Sequence, residues 1–123
     1  MKLSLGLLSA IALFAGAVRA EVVDINWNAD GRFAYRGEVA AGRFVEVCGK
    51  LPRGLKVRWE FRTAAPVDFN VHYHEGKAVI LPAQLSAVTD ARESLDVTSE
   101  QDYCWKWTNK ASSPTTLVAA LQR

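Results

Sequence analysis

The chain has 123 residues, half of them hydrophobic, with 15 lysines and arginines, 13 acidic residues and a formal net charge of +2. Two of the basic residues, Lys2 and Arg19, lie in the first twenty positions, so the remaining 13 balance the 13 acidic residues. A neutral chain whose charges are interleaved with apolar residues argues against nucleic acid or an anionic membrane as the partner.

The first twenty residues have the layout of a secretory signal peptide. Lys2 is followed by an apolar run over residues 3–17, and small residues flank Arg19 just before Glu21. The run is too short to span a membrane comfortably, since a helix needs about 20 apolar residues. The residue after the cleavage point is Glu21 rather than Cys, which argues against a lipid anchor. We predict cleavage after Ala20 and an exported single domain over residues 21–123, in the periplasm or secreted, with no membrane anchor.

Turn residues recur roughly every eight to twelve positions along the rest of the chain, which is typical of an all-β sandwich or barrel. The segments between the turns alternate between apolar and polar residues, as strands with one buried face do. Residues 83–93 are compatible with a helical turn, a loop or a weak strand. We therefore predict an antiparallel β-sandwich of about eight short strands, over residues 32–39, 43–48, 55–62, 67–74, 78–81, 95–98, 103–108 and 115–121.

The alternation is clearest in residues 55–62 and 67–74, on either side of an expected corner at residues 63–66. Large rings recur on the apolar sides of these and later strands, and we expect them to form the core of the domain. A ring at the edge of a sheet could instead stack on a sugar or an apolar ligand. The rings in question are Trp59, Phe61, Phe69, Tyr73, Trp105 and Trp107.

Cys48 and Cys104 are the only two cysteines. In an oxidising compartment a lone pair is most simply a disulfide, although two free thiols or a metal site are the alternatives. A bridge between these positions would close a long loop and stabilise the fold by ~4 kcal/mol on the chain-entropy model.

The two histidines, His72 and His74, lie two residues apart on the polar side of one predicted strand. Their Cα atoms would be ~7 Å apart, so both imidazoles could reach one Zn²⁺ or Cu²⁺ ion. Glu75, Asp68 or Asp102 could supply a further ligand. The alternative interpretation is two ordinary surface histidines and no cofactor.

Four short segments around the cysteines resemble the GOLD domain, a β-sandwich module of secretory cargo receptors and some lipid-transfer proteins. The resemblance spans residues 32–122 and implies a sandwich with Cys48 bridged to Cys104. Cargo receptors continue into a coiled coil, a transmembrane helix and a cytosolic tail that this sequence lacks, so we expect a stand-alone exported GOLD-like domain. The family offers no counterpart of His72 and His74. The segments are Val47-Cys48, Val57-Arg58-Trp59-Glu60-Phe61, Val67-Asp68-Phe69-Asn70-Val71 and residues 103–109.

Motifs for catalysis are missing from the sequence. It contains no Gly-x-Ser-x-Gly elbow, and Leu55 stands where a phosphate-binding loop would need lysine after Gly54. We therefore predict a non-enzymatic binding module whose partner is a protein or a small ligand. The alternative function is copper or zinc binding through His72 and His74.

Overall fold

The computed structural model describes residues 20–123, so the predicted signal peptide, residues 1–20, lies outside the described residues except for Ala20. Within this range no helix is long and apolar enough to cross a membrane. The elements are all strands, which confirms the all-β prediction. They are β1 (Glu21–Asp24), β2 (Arg32–Val39), β3 (Phe44–Leu51), β4 (Lys56–Glu75), β5 (Ala78–Asp96), β6 (Gln101–Thr108) and β7 (Thr115–Gln122).

The seven strands form one sheet, in the order β1-β3-β6-β4-β7-β2, with β5 paired to the other side of β4. The two halves of β4 have different neighbours, because residues 58–63 pair with β7 and residues 68–72 pair with β6. β5 runs antiparallel to both halves, whereas the short β1 joins β3 in parallel. The long β4–β5 hairpin is therefore shared by two half-sheets, and the sheet curls around it.

A bend in β4 lies at the predicted corner, residues 63–66, but the strand continues through it. Arg62 pairs with Asp90 and Val67 pairs with Val88, so four residues of β4 face only Thr89 of β5. Local hydrogen bonds replace the ladder there: the Thr63 hydroxyl donates to the carbonyl of Ala65 at 2.7 Å. Pro66 has no N–H to donate, and such an irregularity is where a strand tolerates proline.

The curl brings β1 and β2, the outermost strands in the order of the sheet, close to each other. Tyr35 on β2 donates its hydroxyl proton to a carboxylate oxygen of Glu21 on β1 at 2.9 Å. Partial burial and the neighbouring Glu21 raise the pKa of Tyr35 to about 12, so the donor stays protonated. Gly37 leaves the room that this hydroxyl occupies, because a Cβ there would collide with it. The first strand is thus tied across the opening of the curled sheet.

Aromatic rings fill the inside of the curl and join the two halves of β4. Phe61 lies before the bend and Phe69 after it, yet their ring centroids are 4.6 Å apart. Trp107 of β6 contacts both rings, at 5.7 and 5.5 Å. The expected core is confirmed for these rings and for Trp59 and Trp105, whereas Tyr73 is only partly buried and packs on Tyr103. Such rings contribute much of the burial in a small β domain.

The disulfide between Cys48 and Cys104 is confirmed. The two residues lie directly opposite each other on β3 and β6, with their Cα atoms 4.1 Å apart. The bond closes a chain segment 56 residues long, so it constrains the unfolded chain strongly.

Seven strands are present where about eight short ones were expected. The predicted strands at 55–62 and 67–74 are the two halves of β4, and residues 83–93, left open between helix, loop and strand, belong to β5. Pro82 does not end β5, because Leu81 and Pro82 form a bulge where the pairing with β4 shifts. The two-layer sandwich and the likeness to the GOLD domain stay predictions.

A buried asparagine fixes the loop between β6 and β7. The Asn109 amide nitrogen donates to the carbonyls of Val39, at 3.0 Å, and Ser113, at 2.9 Å. Its amide oxygen accepts the backbone N–H of Ala111 at 2.9 Å. One fully buried side chain therefore connects the end of β2 to the loop that leads into β7.

We expect Asn109→Ala to lower the free energy of unfolding by about 2–3 kcal/mol, because it leaves the buried Val39 carbonyl without its donor. Urea unfolding monitored by tryptophan fluorescence measures the loss. Asn28→Ala is the matched control. The Asn28 side-chain oxygen accepts hydrogen bonds from two backbone N–H groups, and it does so at an exposed turn. Equal losses in the two variants would contradict a special role for the buried amide.

Candidate functional site

Three of the residues singled out in the sequence, Cys48, Cys104 and His72, lie together on the polar face of the half-sheet formed by β3, β6 and the second half of β4. Cys48 pairs with Cys104, and Cys104 pairs with His72, so the disulfide and the histidine form one row across three strands. The next row is Glu46, Lys106 and Asn70. Strand alternation therefore puts His72 beside the disulfide and next to a carboxylate from β3.

His72 is buried, with 6% of its surface exposed, although it points away from the aromatic core. Its Nδ1 lies 2.7 Å from the Asn70 side-chain oxygen, and its Nε2 lies 3.3 Å from a carboxylate oxygen of Glu46. The exposed His74 ring stands perpendicular to it, with the ring centroids 5.3 Å apart. Both ring nitrogens of His72 thus have polar neighbours inside the protein.

The protonation state of His72 follows from these contacts. The Asn70 oxygen can only accept, so Nδ1 carries a hydrogen and donates it. A neutral ring then turns the Nε2 lone pair toward Glu46, and only a second proton makes that contact attractive. Burial lowers the pKa of His72, Glu46 raises it, and His74 and Lys106 lower it further; the net direction is downward. The ring is therefore mainly neutral at neutral pH.

The carboxylate beside His72 belongs to Glu46, which was not among the ligands predicted from the sequence. Ligand atoms of Glu46, His72 and Cys104 lie within 4.8 Å of one another, but the Cys104 sulfur is in the disulfide and is no thiolate. Part of the signal was available in the sequence, because Glu46 precedes Cys48 by two residues and so shares its face. The register between β4 and β6, which pairs His72 with Cys104 and cannot be read from the sequence, then brings that face beside His72.

The other residues predicted as ligands are engaged or placed elsewhere. The Asp68 carboxylate accepts from Lys110 at 2.6 Å and from the backbone of Ala87 at 3.0 Å. The hydrogen bond from Lys110 is the main cause that lowers the pKa of Asp68. Glu75 ends β4 at the hairpin turn, and Asp102 pairs with Lys50 across β3 and β6; both are exposed.

A second feature of interest is the tip of the β4–β5 hairpin. The pairing between β4 and β6 ends at His72, whereas the pairing with β5 continues to Glu75 and Ala78. Gly76 makes the turn with a φ of +59°, a conformation that favours glycine. We call the residues beyond β6, 74–82, the hairpin tip. Its returning strand exposes Val79, Ile80 and Leu81 consecutively.

No protein-family model matches the sequence, and no curated protein matches it. Solved structures resemble the fold. The Aeromonas hydrophila PliG, described as a periplasmic inhibitor of g-type lysozyme, aligns with a TM-score of 0.60 and 12% identity over 85% of this chain and 96% of its own. The Salmonella Typhimurium PliG aligns with a TM-score of 0.57 and 11% identity, over 84% and 97%.

A protein of a different description has a similar fold. The pre-peptidase C-terminal domain of a collagenase from Bacillus anthracis aligns with a TM-score of 0.56 and 8% identity, over 85% of this chain and 95% of its own. Identities this low show a common fold and no more. The resemblance therefore covers nearly the whole of each neighbour as a scaffold, and function has to be argued from this chain's own surfaces.

The low pKa of His72 predicts a stability that declines in mild acid. As the pH falls, the unfolded chain binds this proton near pH 6.5, and the folded protein binds it only at a lower pH. The contribution of His72 to the free energy of unfolding is therefore full above pH 6.5 and is lost as the pH falls through the folded-state pKa. Urea unfolding at pH 5 to 8 should show this decline in the wild type and a smaller one in His72→Gln. His74→Gln is the control at an exposed position.

The same protonation can be followed directly by NMR. His72 should titrate below about 6.5, and Glu46→Gln should shift its midpoint further down, because the carboxylate favours the charged ring. A His72 midpoint above that value, or no change with Glu46→Gln, would contradict the assignment.

Proposed function

We propose that this protein is an exported, non-enzymatic module that binds a protein partner in the periplasm through its hairpin tip. The observation that carries the proposal is the consecutive exposure of Val79, Ile80 and Leu81, at 50%, 37% and 43%. A strand that covers a core exposes alternate residues only. Here both faces are open, because neither half-sheet extends beneath the tip.

The apolar tip favours a protein over a small ligand. Small ligands occupy concave sites that cover most of their surface, whereas the tip is a projection. Contiguous exposed apolar side chains rimmed by polar ones are typical of protein interfaces. Glu75 and Lys77 flank the turn and supply that rim. The hairpin therefore has the form of an element that enters a partner's cleft.

The fold neighbours support a partner class. Two of them are described as periplasmic inhibitors of g-type lysozyme, so their descriptions attribute to this scaffold the binding of an enzyme outside the cytoplasm. A disulfide-bonded domain preceded by a leader-like segment fits the same compartment. By analogy, the first partner to test for this chain is a wall-degrading enzyme, with g-type lysozyme as the reference case.

We also propose that the protein is not an enzyme, and the support for this is the setting of His72, the best candidate for a general base. His72 has Asn70 at one nitrogen and Glu46 at the other, so neither nitrogen is free for a substrate. The ring is also nearly covered. A general base must reach the proton that it abstracts, and His72 reaches only its own neighbours.

A second candidate function is binding of Zn²⁺ or Cu²⁺ near the histidines. The observation in its favour is the approach of three donors: His72 Nε2 lies 3.3 Å from Glu46, and the His74 ring stands 5.3 Å from the His72 ring. Two imidazoles and a carboxylate are a set that either metal accepts. Glu46 takes the place that Glu75, Asp68 or Asp102 was expected to fill. Binding requires the Nε2 of His72 to be unprotonated.

To test the hairpin, residues 21–123 are immobilised and an envelope extract is passed over them. A retained protein is identified and its purified form, together with purified g-type lysozyme, is titrated by calorimetry. Val79→Ser with Ile80→Ser should weaken binding at least about tenfold, since loss of two buried apolar anchors removes more than 1.4 kcal/mol. Stability should change little, because neither residue belongs to the core or packs against it.

Val22→Ser is the matched control, since Val22 is 61% exposed on β1, away from the hairpin. Equal weakening by the control, or full binding by the hairpin variant, would contradict the tip as the contact. A purified protein that turns over a substrate would contradict the non-enzymatic class.

For the metal candidate, calorimetric titration with Zn²⁺ and Cu²⁺ should show micromolar or tighter binding that His72→Ala, His74→Ala and Glu46→Gln each abolish. Binding should also weaken as the pH falls and the imidazoles are protonated. Asp102→Asn is the control, because that carboxylate is exposed and outside the cluster. A wild type that takes up neither ion would end this candidate.

A further inference from the structure

The outer face of the other half-sheet carries an ordered set of arginines. On β2, β7 and β4, the register aligns Arg32 with Gln122 and Arg58, and two rows further along it aligns Arg36 with Val118 and Arg62. Residues in such a row point to the same side of a sheet. Four arginines thus occupy the corners of a rectangle. We call it the arginine face.

Strand geometry gives the dimensions of the arginine face. Arg32 and Arg58 are two strands apart, ~10 Å, and Arg32 and Arg36 are four residues apart along β2, ~13 Å. The row between the corners is Ala34, Ala120 and Glu60. The two alanines leave a floor lower than the corners. A depression over these alanines, lined by Arg32 and Arg58, has a cavity volume of about 680 Å³, and a second one of about 440 Å³ lies beside Arg62 and Val118.

None of the four corner arginines forms an ion pair with a carboxylate of the described residues. The ion pairs that form within residues 20–123 include Arg92 with Glu60, at 3.5 Å. Together with Arg92 the face carries five arginines against three carboxylates, Glu60 and Asp90 in the rows and Glu93 at the depression. Since residues 21–123 are neutral overall, this face is positive and the rest of the surface is negative by the same amount.

We propose that the arginine face binds an extended acidic segment of a partner protein. Guanidinium groups pair with carboxylates through two parallel hydrogen bonds, and four unpaired guanidinium groups offer that geometry on both sides of a low floor. Residues four positions apart in an extended segment are ~13 Å apart, which matches the distance between the two arginine rows along the strands. Val118, 38% exposed at the edge of the floor, gives the segment an apolar contact.

The composition of the face favours a protein segment over nucleic acid or a membrane. Glu60 and Asp90 lie among the arginines, where they would repel a continuous run of phosphates, whereas an acidic peptide can place uncharged residues opposite them. Phe33 and Trp59 line the depression but pack in or against the core, and the outward positions of the rows include no aromatic ring on which bases could stack. The apolar side chains at the outward positions of the rows are one valine and two alanines, too few to enter a bilayer. This inference goes beyond the proposed function, because the surface is separate from the hairpin tip.

The test uses residues 21–123 and a fluorescent peptide with glutamate at every fourth position and threonine at the others, and the comparison peptide has glutamine in place of glutamate. Fluorescence anisotropy should show binding of the glutamate peptide that weakens as NaCl is added. Arg32→Gln with Arg58→Gln should weaken it by about tenfold or more, and so should Arg36→Gln with Arg62→Gln. Two separate pairs keep the test valid if one variant folds poorly.

Lys50→Gln with Lys77→Gln is the matched control, because it removes two exposed charges outside the face. Its binding should stay within about twofold of the wild type, as should that of Val79→Ser, which probes the hairpin tip. Equal loss in the lysine control would overturn the proposal, as would equal binding of the glutamine peptide. Tighter binding of duplex DNA or of phosphatidylglycerol vesicles would overturn the choice of partner.

Discussion

The fold depends on the contact between Phe61 and Phe69 across the bend of β4. These rings belong to one strand, and they meet only because four residues of β4 face one residue of β5 at the bend. The curl lets both halves of the strand bury their apolar side against the same Trp107. A straight strand of this length would leave one half without a core, and burial of large rings is a main source of stability in a domain of this size.

That constraint also determines where function can lie. Because the strand bends inward, the polar sides of its two halves face outward in different directions. The half that pairs with β6 displays Asn70 and His72 beside the disulfide, and the half that pairs with β7 displays Arg58 and Arg62. One alternation pattern therefore generates two chemically different surfaces. The hairpin tip is the continuation of the same two strands beyond the last β6 residue that supports them.

Much of the fold could be predicted from the sequence, because period-two alternation and turn residues are local signals. The continuity of β4 and β5 could not, since Pro66 and Pro82 ordinarily end strands and are tolerated here at register shifts. The disulfide was predictable from export and cysteine count. Glu46 and the arginine face were not found, because which residues lie side by side depends on the register between strands distant in sequence.

His72 shows how burial changes the meaning of a sequence pattern. Alternation correctly placed it on the polar side, where the expected setting was a solvent-exposed ligand pair with His74. The structure covers it with the disulfide, Glu46 and Asn70, so its ring nitrogens are engaged before any ligand arrives. A metal would have to take the Nε2 contact from within this cluster, whereas a proton needs no rearrangement. The same carboxylate favours a proton on Nε2, and it only partly offsets the burial that lowers the pKa of His72.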